Sequence, residues 1–318
     1  MKKVSYAVVI PTNRVFDSIQ PLLVSLASQT LAPDQIVIVW DRYAPKSEID
    51  SYTISAKLLF AQLEHIRIDV IHPSNHKKFA IGKGASYVRN YGRSQVKTPY
   101  MMFIDDDNVC PDDMCENLFG FVEHQAHPEN TVVAPIQYDD HHNTIRSSQA
   151  TWFNFALSRP LWLGEKIIES SDRYISLVLA SSNCLAWPTA VFASYPFPEH
   201  VPFVYEDLIM LAQMYQGGVE IFVDSWASVI HHHSHSSRLS ELYINTPERA
   251  YRKAKHRIIL VHTLGTFREK MIFYTFGFIG QLGRFRIHII YYAPMAQWWE
   301  LFGALYTGTK DGIKAVRS

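Results

Sequence analysis

The chain has 318 residues, 47% of them hydrophobic, with 30 Lys plus Arg against 30 Asp plus Glu. That is apolar material enough for one large domain, or a domain with an appendage, and it excludes disorder; the balanced charge excludes the overall basicity of a nucleic-acid binder and the acidity of a solvating protein. Cys110, Cys115 and Cys184 are too few and too irregular for a disulfide framework or a zinc site, so buried thiols in a reducing compartment are expected.

Pro11 stops the apolar run Val8-Val9-Ile10 well short of a signal peptide, and no secretion signal is expected. Ser5 to Ile10 reads as a strand ending at Pro11-Thr12-Asn13-Arg14, and Leu22, Leu23 and Leu26 stand at helical spacing within 19–29. A second strand, Gln35 to Trp40, stops at Asp41-Arg42. The first forty residues therefore make a βαβ unit with parallel, buried strands. A helix over Ile54 to Leu63 and a strand over Ile66 to Ile71 follow, closed by His72-Pro73. Gly82-Lys83-Gly84, with Arg89-Asn90 beyond it, has the character of a phosphate-cradling loop at the start of a helix over about 84–94, where free N–H groups and basic side chains attract anions. The ending of a Walker loop and the third glycine of the dinucleotide fingerprint are missing, and an ordinary loop before a solvated helix face is the alternative.

Tyr100-Met101-Met102-Phe103-Ile104 is a short uncharged run that reads as a buried strand, and it delivers Asp105-Asp106-Asp107-Asn108 to the carboxyl edge of a sheet, where open α/β folds bind ligands. Three adjacent carboxylates repel one another unless a divalent cation, arginines or full solvation intervenes. The approach along an apolar strand favours the cation; a solvated acidic turn is the alternative. Val132 to Pro135 suggests another strand, and Asp139-Asp140-His141-His142-Asn143 a polar loop without evident chemistry. Tyr174 to Ala180 is apolar and leads to Ser181-Ser182-Asn183-Cys184-Leu185-Ala186-Trp187, a strand pair or strand end lined with small polar groups, and Pro196 to Glu199 breaks the chain into a loop.

Glu206-Asp207 opens a helix through Leu208, Leu211 and Met214 that ends at Gly217-Gly218. Both acids then sit at the helix N-terminus, where the dipole stabilises carboxylates, so plain capping is the alternative to chemistry. Strands over Val219 to Val223 and Ala227 to Ile230 run into His231-His232-His233-Ser234-His235, four histidines in five positions, a pattern for binding a metal or an anion.

Together these residues resemble the family 2 glycosyltransferases, nucleotide-sugar enzymes of the GT-A fold, and among them the non-processive transferases of bacterial polysaccharide and lipid-linked glycan synthesis. Val8 to Arg14 is similar to the family's opening strand and loop, and Gln35 to Asp41 to its second strand, which supplies an acid to the nucleotide base; the family commonly has two acidic or Asp-Asn residues there, where this chain has Trp40-Asp41-Arg42. Ala85 to Gly92 is similar to the Ala-Arg-Asn-x-Gly helix beside the donor diphosphate. Asp105-Asp106-Asp107 matches the Asp-x-Asp element, which implies Asp107 on a metal and Asp105 on the ribose or sugar. Glu206-Asp207 resembles the Glu-Asp element whose second acid is the base. The resemblance covers residues 4 to about 240 and implies an α/β fold, a Rossmann-like mixed sheet with flanking helices, followed by a helical, aromatic-rich segment over 241–318.

What it implies for function is inverting transfer of a single sugar from a UDP-, dTDP- or GDP-linked donor to a glycan hydroxyl, with Mn2+ or Mg2+ as cofactor. Asp207 and Glu206 are the catalytic acids; Pro11, Thr12, Asn13, Arg14, Asp41, Lys83, Arg89, Asn90, Asp105 and Asp106 bind the donor; Asp107, His231 and His232 bind metal; Ser182 and Asn183 lie on the acceptor side. The Gln-x-x-Arg-Trp element of processive polymerases does not follow Asp207, hence the single sugar. A sugar-1-phosphate nucleotidyltransferase and a non-catalytic nucleotide-sugar-binding protein are the alternatives.

From Arg249 to Arg257 the chain is strongly basic. Met271 to Gly283 and Ile287 to Trp299 are uncharged but shorter than the ~20 residues of a membrane-spanning helix, and Arg284 and Arg286 interrupt them. Tyr291, Tyr292, Trp298 and Trp299 with flanking Lys and Arg fit segments lying in a membrane interface, a surface joining two subunits, or helices packed on the sheet. Leu305 to Gly312 looks like the C-terminal tail of lipid-acceptor members of the family. A cytoplasmic protein at the inner face of the membrane, acting on a polyprenyl-linked glycan, is expected.

Overall fold

The apolar runs become the strands that organise the chain. A computed structural model describes all residues except 1–3, 64, 73–74, 140–143, 146–148, 158, 164–171, 202–203, 233–245 and 318. Its first half runs β1 (Tyr6–Thr12), α1 (Phe16–Ala27), β2 (Gln35–Trp40), α2 (Lys46–Leu59), β3 (Arg67–Ile71), α3 (Ala85–Arg93), β4 (Tyr100–Phe103), β5 (Asn108–Val109) and α4 (Met114–Glu123). β6 (Thr131–Asp139), β7 (Thr144–Ile145), β8 (Ala150–Asn154), β9 (Arg159–Trp162), β10 (Tyr174–Ser176), β11 (Ala186–Pro188), α5 (Thr189–Ser194), α6 (Glu206–Gln216) and β12 (Glu220–His231) follow. Four further helices close the described chain: α7 (Pro247–Leu264), α8 (Phe267–Ile272), α9 (Phe278–Tyr292) and α10 (Trp298–Ala315), with a π-helical turn, Phe273–Gly277, joining α8 to α9.

β4, β1, β2 and β3 are parallel neighbours, as the βαβ reading requires. On the other side of β4 the antiparallel β11 separates it from β6, β12 and β10, which makes the sheet mixed. Alternation along the strands divides the core in two. Val9, Val37, Val39, Met101 and Phe103 face one layer, while Val8, Ile10, Ile36, Ile38 and Met102 face the other. Helix α3 sits close on the sheet because Gly92 has no side chain: a Cβ there would lie 2.6 Å from Val9 and 2.7 Å from Val39.

Several elements differ from the sequence reading. α2 begins at Lys46 rather than Ile54, since the buried stripe of Ile49, Tyr52 and Ala56 starts just after Pro45. The two strands read at 219–223 and 227–230 are one, β12, interrupted by a bulge between Asp224 and Ser228. Buried Asp224 is anchored there by Arg173, at 2.8 and 3.0 Å. Only Tyr174 to Ser176 of the run to Ala180 is strand. The C-terminal runs are divided at Ala293-Pro294 into helices whose ends cut across the apolar segments. The loop Asp140 to Asn143, His233 to His235, and the boundary near residue 240 lie outside the described residues.

Ile258, Val261 and Leu264 of α7 belong to the same core as β6 and β11, so this helix is built into the sheet domain. α9 and α10 pack instead on the far side of α7, around Ala250, Ala254, Ile289, Leu301 and Leu305. Among the described residues no helix is long and apolar enough to cross a membrane. The α7–α10 contact is close because of two glycines. A Cβ on Gly308 would stand 2.3 Å from the Tyr251 carbonyl oxygen, and one on Gly312 2.9 Å from that of Lys255, while Tyr251 Oη donates to Asp311 at 2.8 Å. Gly303, in the same helix, has open space around it. Gly308→Ala should therefore cost about 1–3 kcal/mol by overpacking, whereas Gly303→Ala should gain up to about 1 kcal/mol from helix propensity. Thermal unfolding of the two variants, with opposite shifts in Tm, checks this.

Candidate functional site

β1 and β4 run side by side with Val9 opposite Phe103, so the segments leaving their carboxyl ends emerge together. There Pro11, Thr12, Asn13, Asp41, Arg89, Asp105, Asp106, Asp107 and His231, with Ala85 and Val88 of α3, line a cleft of about 370 Å³. The loop before α3 closes one end, with Gly82 and Gly84 at φ of 76° and 98°, values that glycine adopts without strain, and Gly82 N–H donating to Asp41 Oδ1 at 2.8 Å. Gly84 caps α3 without a side-chain hydrogen bond, leaving the first-turn N–H groups open beside the cleft.

The triplet is held from several sides. Thr12 Oγ1 donates to Asp106 at 2.5 Å, and Arg14 reaches both Asp106 (3.2 Å) and Asp107 (3.1 Å). Arg89, only 11% exposed, lies 3.0 Å from Asp105 and 3.0 Å from Glu206. Asn183 Oδ1 accepts from the Asp105 N–H (3.0 Å) and from Asn108 Nδ2 (3.2 Å), fixing the turn from beneath. Pairing of β5 with β12 sets Asn108 opposite His231, and His232 N–H donates to the Asp107 carbonyl at 2.7 Å. That register brings His231 Nε2 to 3.3 Å from Asp107 Oδ1. Burial, then the charges of Asp105 and Asp106, push the Asp107 carboxyl up to about 6 against the pull of Arg14, and burial raises Asp106 as well.

Glu206 and Asp207 form the first turn of α6, as read from the sequence. The two residues before them are not regular: Val204 and Tyr205 have φ of 66° and 71°, a left-handed conformation that is costly for a β-branched or aromatic side chain. α7 clamps this turn. His256 Nδ1 lies 2.7 Å from the Val204 carbonyl oxygen, and the Arg257 guanidinium donates to Tyr205 Oη while stacking on its ring at 4.8 Å. Asp207 accepts from Leu208 N–H at 2.8 Å and from the Ser182 N–H. Burial and the neighbouring Asp207 push Glu206 up to about 7, Arg89 opposing, and burial raises Asp207 too. Burial holds His256 down, at about 4.

Most of the expected residues are thus brought together, some in other parts. Ser182 and Asn183 are buried, with polar groups committed to Asp207, Asp105 and Asn108. Asn90 does not line the cleft; it pins the Pro196–Glu199 loop by bonds to Phe197 O (2.9 Å), Phe197 N (3.0 Å) and Glu199 (3.1 Å). Lys83 is exposed on the loop, and His232 is exposed with its backbone on the triplet. Asn108, Tyr205, His256 and Arg257 escape sequence reading, because their parts depend on partners 50 to 75 residues away. Consecutive left-handed residues before a helix leave no compositional trace when neither is glycine.

A divalent ion fits the chemistry of these side chains. Five carboxylates, Asp105, Asp106, Asp107, Glu206 and Asp207, surround two guanidinium groups, Arg14 and Arg89, leaving a surplus of negative charge. Asp107 Oδ1 is buried without a hydrogen bond beside an imidazole nitrogen. Among the described residues no three His, Cys, Asp or Glu side chains converge as a closed metal site. Asp107 and His231 are the pair that fits, in an open site of the kind in which a substrate contributes oxygens.

Residues 7–169, just over half of the chain, match the family model described as "Glycosyl transferase family 2". No curated protein matches. Among solved structures, residues 1–349 of TarS from S. aureus are similar at TM-score 0.63 and 15% identity over 98% of this chain and 82% of that one. The same fragment in complex with UDP-GlcNAc matches equally, at TM-score 0.63, 16% identity, 98% and 83%. GalNAc-T7 with UDP, GalNAc and Mn2+ gives TM-score 0.55 at 12% identity, over 86% of this chain and 54% of that one. These likenesses establish the GT-A fold, a mixed sheet with flanking helices followed by C-terminal helices.

The raised carboxyls predict a pH dependence of stability. A folded chain that keeps a proton on Glu206 up to about pH 7 binds more protons than the unfolded chain, so its stability rises as pH falls through that value. His256 acts oppositely: held neutral down to about 4, it costs stability once the unfolded histidine protonates below about pH 6.5. In chelator, Tm should therefore rise from about pH 8 to about 6.5; below that His256 offsets one raised carboxyl, while Asp107, held up to about 6, keeps a shallower rise going. Glu206→Gln should remove the rise and His256→Gln the opposing effect; a Tm that drops between pH 8 and 6.5 in the parent chain would contradict this assignment.

Proposed function

The chain belongs to glycosyl transferase family 2, and from that premise we propose that it transfers one sugar from a nucleoside-diphosphate sugar to a hydroxyl of a lipid-linked glycan, with inversion at the anomeric carbon. The observation that carries this reading is the Arg89 bridge, which holds the triplet and the Glu206-Asp207 pair at two ends of one guanidinium. A donor-binding group and a base then stand next to each other, as a single displacement needs.

Pro11, Thr12, Asn13 and Asp41 form the nucleoside end of the cleft, with Asp41 as the acceptor for the base and Asp105 for ribose or sugar hydroxyls. The open N–H groups of α3 suit the diphosphate. Asp107 and His231 would hold Mn2+ or Mg2+, which when bound supplies positive charge to a leaving diphosphate. Asp207 accepts the proton of the acceptor hydroxyl as its oxygen bonds to the anomeric carbon and the bond to the diphosphate oxygen breaks. A raised carboxyl suits this role, since a base works best with a pKa near the operating pH. Ser182 keeps Asp207 aimed through its N–H, and Glu206 fixes Arg89. UDP-GlcNAc, carried by one structural neighbour, is the first donor to try.

Thermal-shift titration with UDP-, dTDP- and GDP-sugars, with and without Mn2+ or Mg2+, should give a metal-dependent rise in Tm for one nucleotide class. Asp107→Ala should abolish that rise. Asp207→Asn should keep donor binding and lower turnover about 10²–10⁴-fold, read as release of the nucleoside diphosphate. Pyrophosphate release instead would indicate nucleotidyl transfer, and a product of retained anomeric configuration by NMR would reject the single displacement.

A further inference from the structure

The C-terminal helices carry a surface that the sugar-transfer reading does not use. From Thr246 to Arg317 there are twelve Lys and Arg against four Asp and Glu, a net charge of +8 in a chain whose total is zero. The remaining residues therefore carry −8, and the molecule is strongly divided in charge. On α9 the usual pattern is inverted: Gln281 is buried, while Ile279 is 69% exposed, Ile287 54% and Tyr291 78%. Along α10 Trp299 and Tyr306 are exposed too. Between these two helices lies an apolar groove of about 660 Å³, walled by Phe278, Leu282, Phe302 and Leu305, with Arg286 and Lys310 among its lining.

We propose that α9 and α10 dock on an anionic lipid bilayer, with Ile287, Tyr291 and Trp299 entering the interface, an acyl chain in the groove, and Arg286 and Lys310 on headgroup phosphates. Exposed isoleucine beside Trp and Tyr on a basic ground suits the boundary between headgroups and acyl chains. A second copy is a poor occupant, because two faces of like charge would meet. Nucleic acid is a poor one too, because it offers nothing apolar to the isoleucine stripe. Among the described residues no helix is long and apolar enough to span, and the proposed contact is interfacial. The proposal rests on no step of the transfer reaction and is measured without donor.

The test is flotation of the full chain with vesicles of phosphatidylcholine alone or mixed with phosphatidylglycerol. Binding to the mixed vesicles should be about tenfold tighter or more, and should weaken as salt rises from about 0.05 to about 0.5 M. Ile287→Ser with Trp299→Ser should lose at least about tenfold in vesicle affinity, as apolar insertion requires. Arg286→Glu with Lys310→Glu should lose the preference for the anionic lipid. All four positions are exposed, so the parent Tm should be kept. Equal binding to both vesicles, undiminished binding by the Ile287→Ser/Trp299→Ser chain, or no binding overturns the proposal; so does a dimer in solution that the same substitutions dissociate.

Discussion

One buried guanidinium ties the site together. Arg89 spans Asp105, at the end of β4, and Glu206, at the start of α6, residues that the chain keeps far apart. Arginine is the side chain fitted to this task, since its charge is permanent and its fork meets two carboxylates at once. Its acidic neighbours push its own proton loss further out of reach, whereas Glu206 remains above its ordinary range. The two directions agree physically: one cation shared among Asp105, Glu206 and Asp207 stays charged while some of the negative charge goes unbalanced. Burial first, and then the charges of Asp105 and Asp106, raise Asp107; in the proposed reaction a cation would offset that surplus beside the donor diphosphate.

Strain is concentrated around the same bridge. Among the described residues Cys184, Val204 and Tyr205 are the non-glycine residues of positive φ, and each adjoins a group placed at the candidate site. Cys184 follows Asn183 and donates its N–H to Phe103 O at 2.6 Å, joining the segment beneath the triplet to the strand that carries it. Val204 and Tyr205 precede the acids of α6. Such conformations cost about 1–3 kcal/mol each and persist only where the surroundings over-determine them. Here the restraints come from outside the first 240 residues: His256 and Arg257 lie on α7. The helical region is thus part of how the acids are aimed, which is why Ile258 and Val261 are buried with the sheet's own core.

What could be read from the sequence is what local pattern determines. Continuous apolar runs give buried parallel strands at β1 and β2 and a partly exposed parallel edge strand at β3, and the strand before Asp105 and the helix after Tyr205 stand where periodicity and charge put them. The start of α2 is not legible, because Ile49 and Tyr52 form a stripe too sparse to separate from a loop. β12 read as two strands because its bulge interrupts the alternation at Asp224, a residue kept buried by an arginine about fifty positions earlier. Asn183 and Asn90 carry family-like positions, but their bonding reflects through-space partners that no spacing rule contains. The histidine cluster offers His231 and His232 alike as metal ligands; what distinguishes them is the β5–β12 register, which alternates side chains to opposite faces.

The two ends of this architecture meet on a single helix. α7 holds the strained turn before Asp207 through His256, and it receives α10 through contacts so close that Gly308 and Gly312 are required. Any load on α10 therefore passes to α7 through close backbone packing, and from α7 to the turn before Asp207 through the His256 and Arg257 side chains. For a chain docked by α9 and α10 on a bilayer, that stiffness fixes the distance and angle of the cleft to the lipid surface. An acceptor anchored in the same bilayer would then meet Asp207 by lateral diffusion in two dimensions. In that arrangement the division of charge would serve both ends at once: the basic helices would face the anionic headgroups, and the acidic cleft, repelled by them, would stay turned toward the proposed donor and its cation.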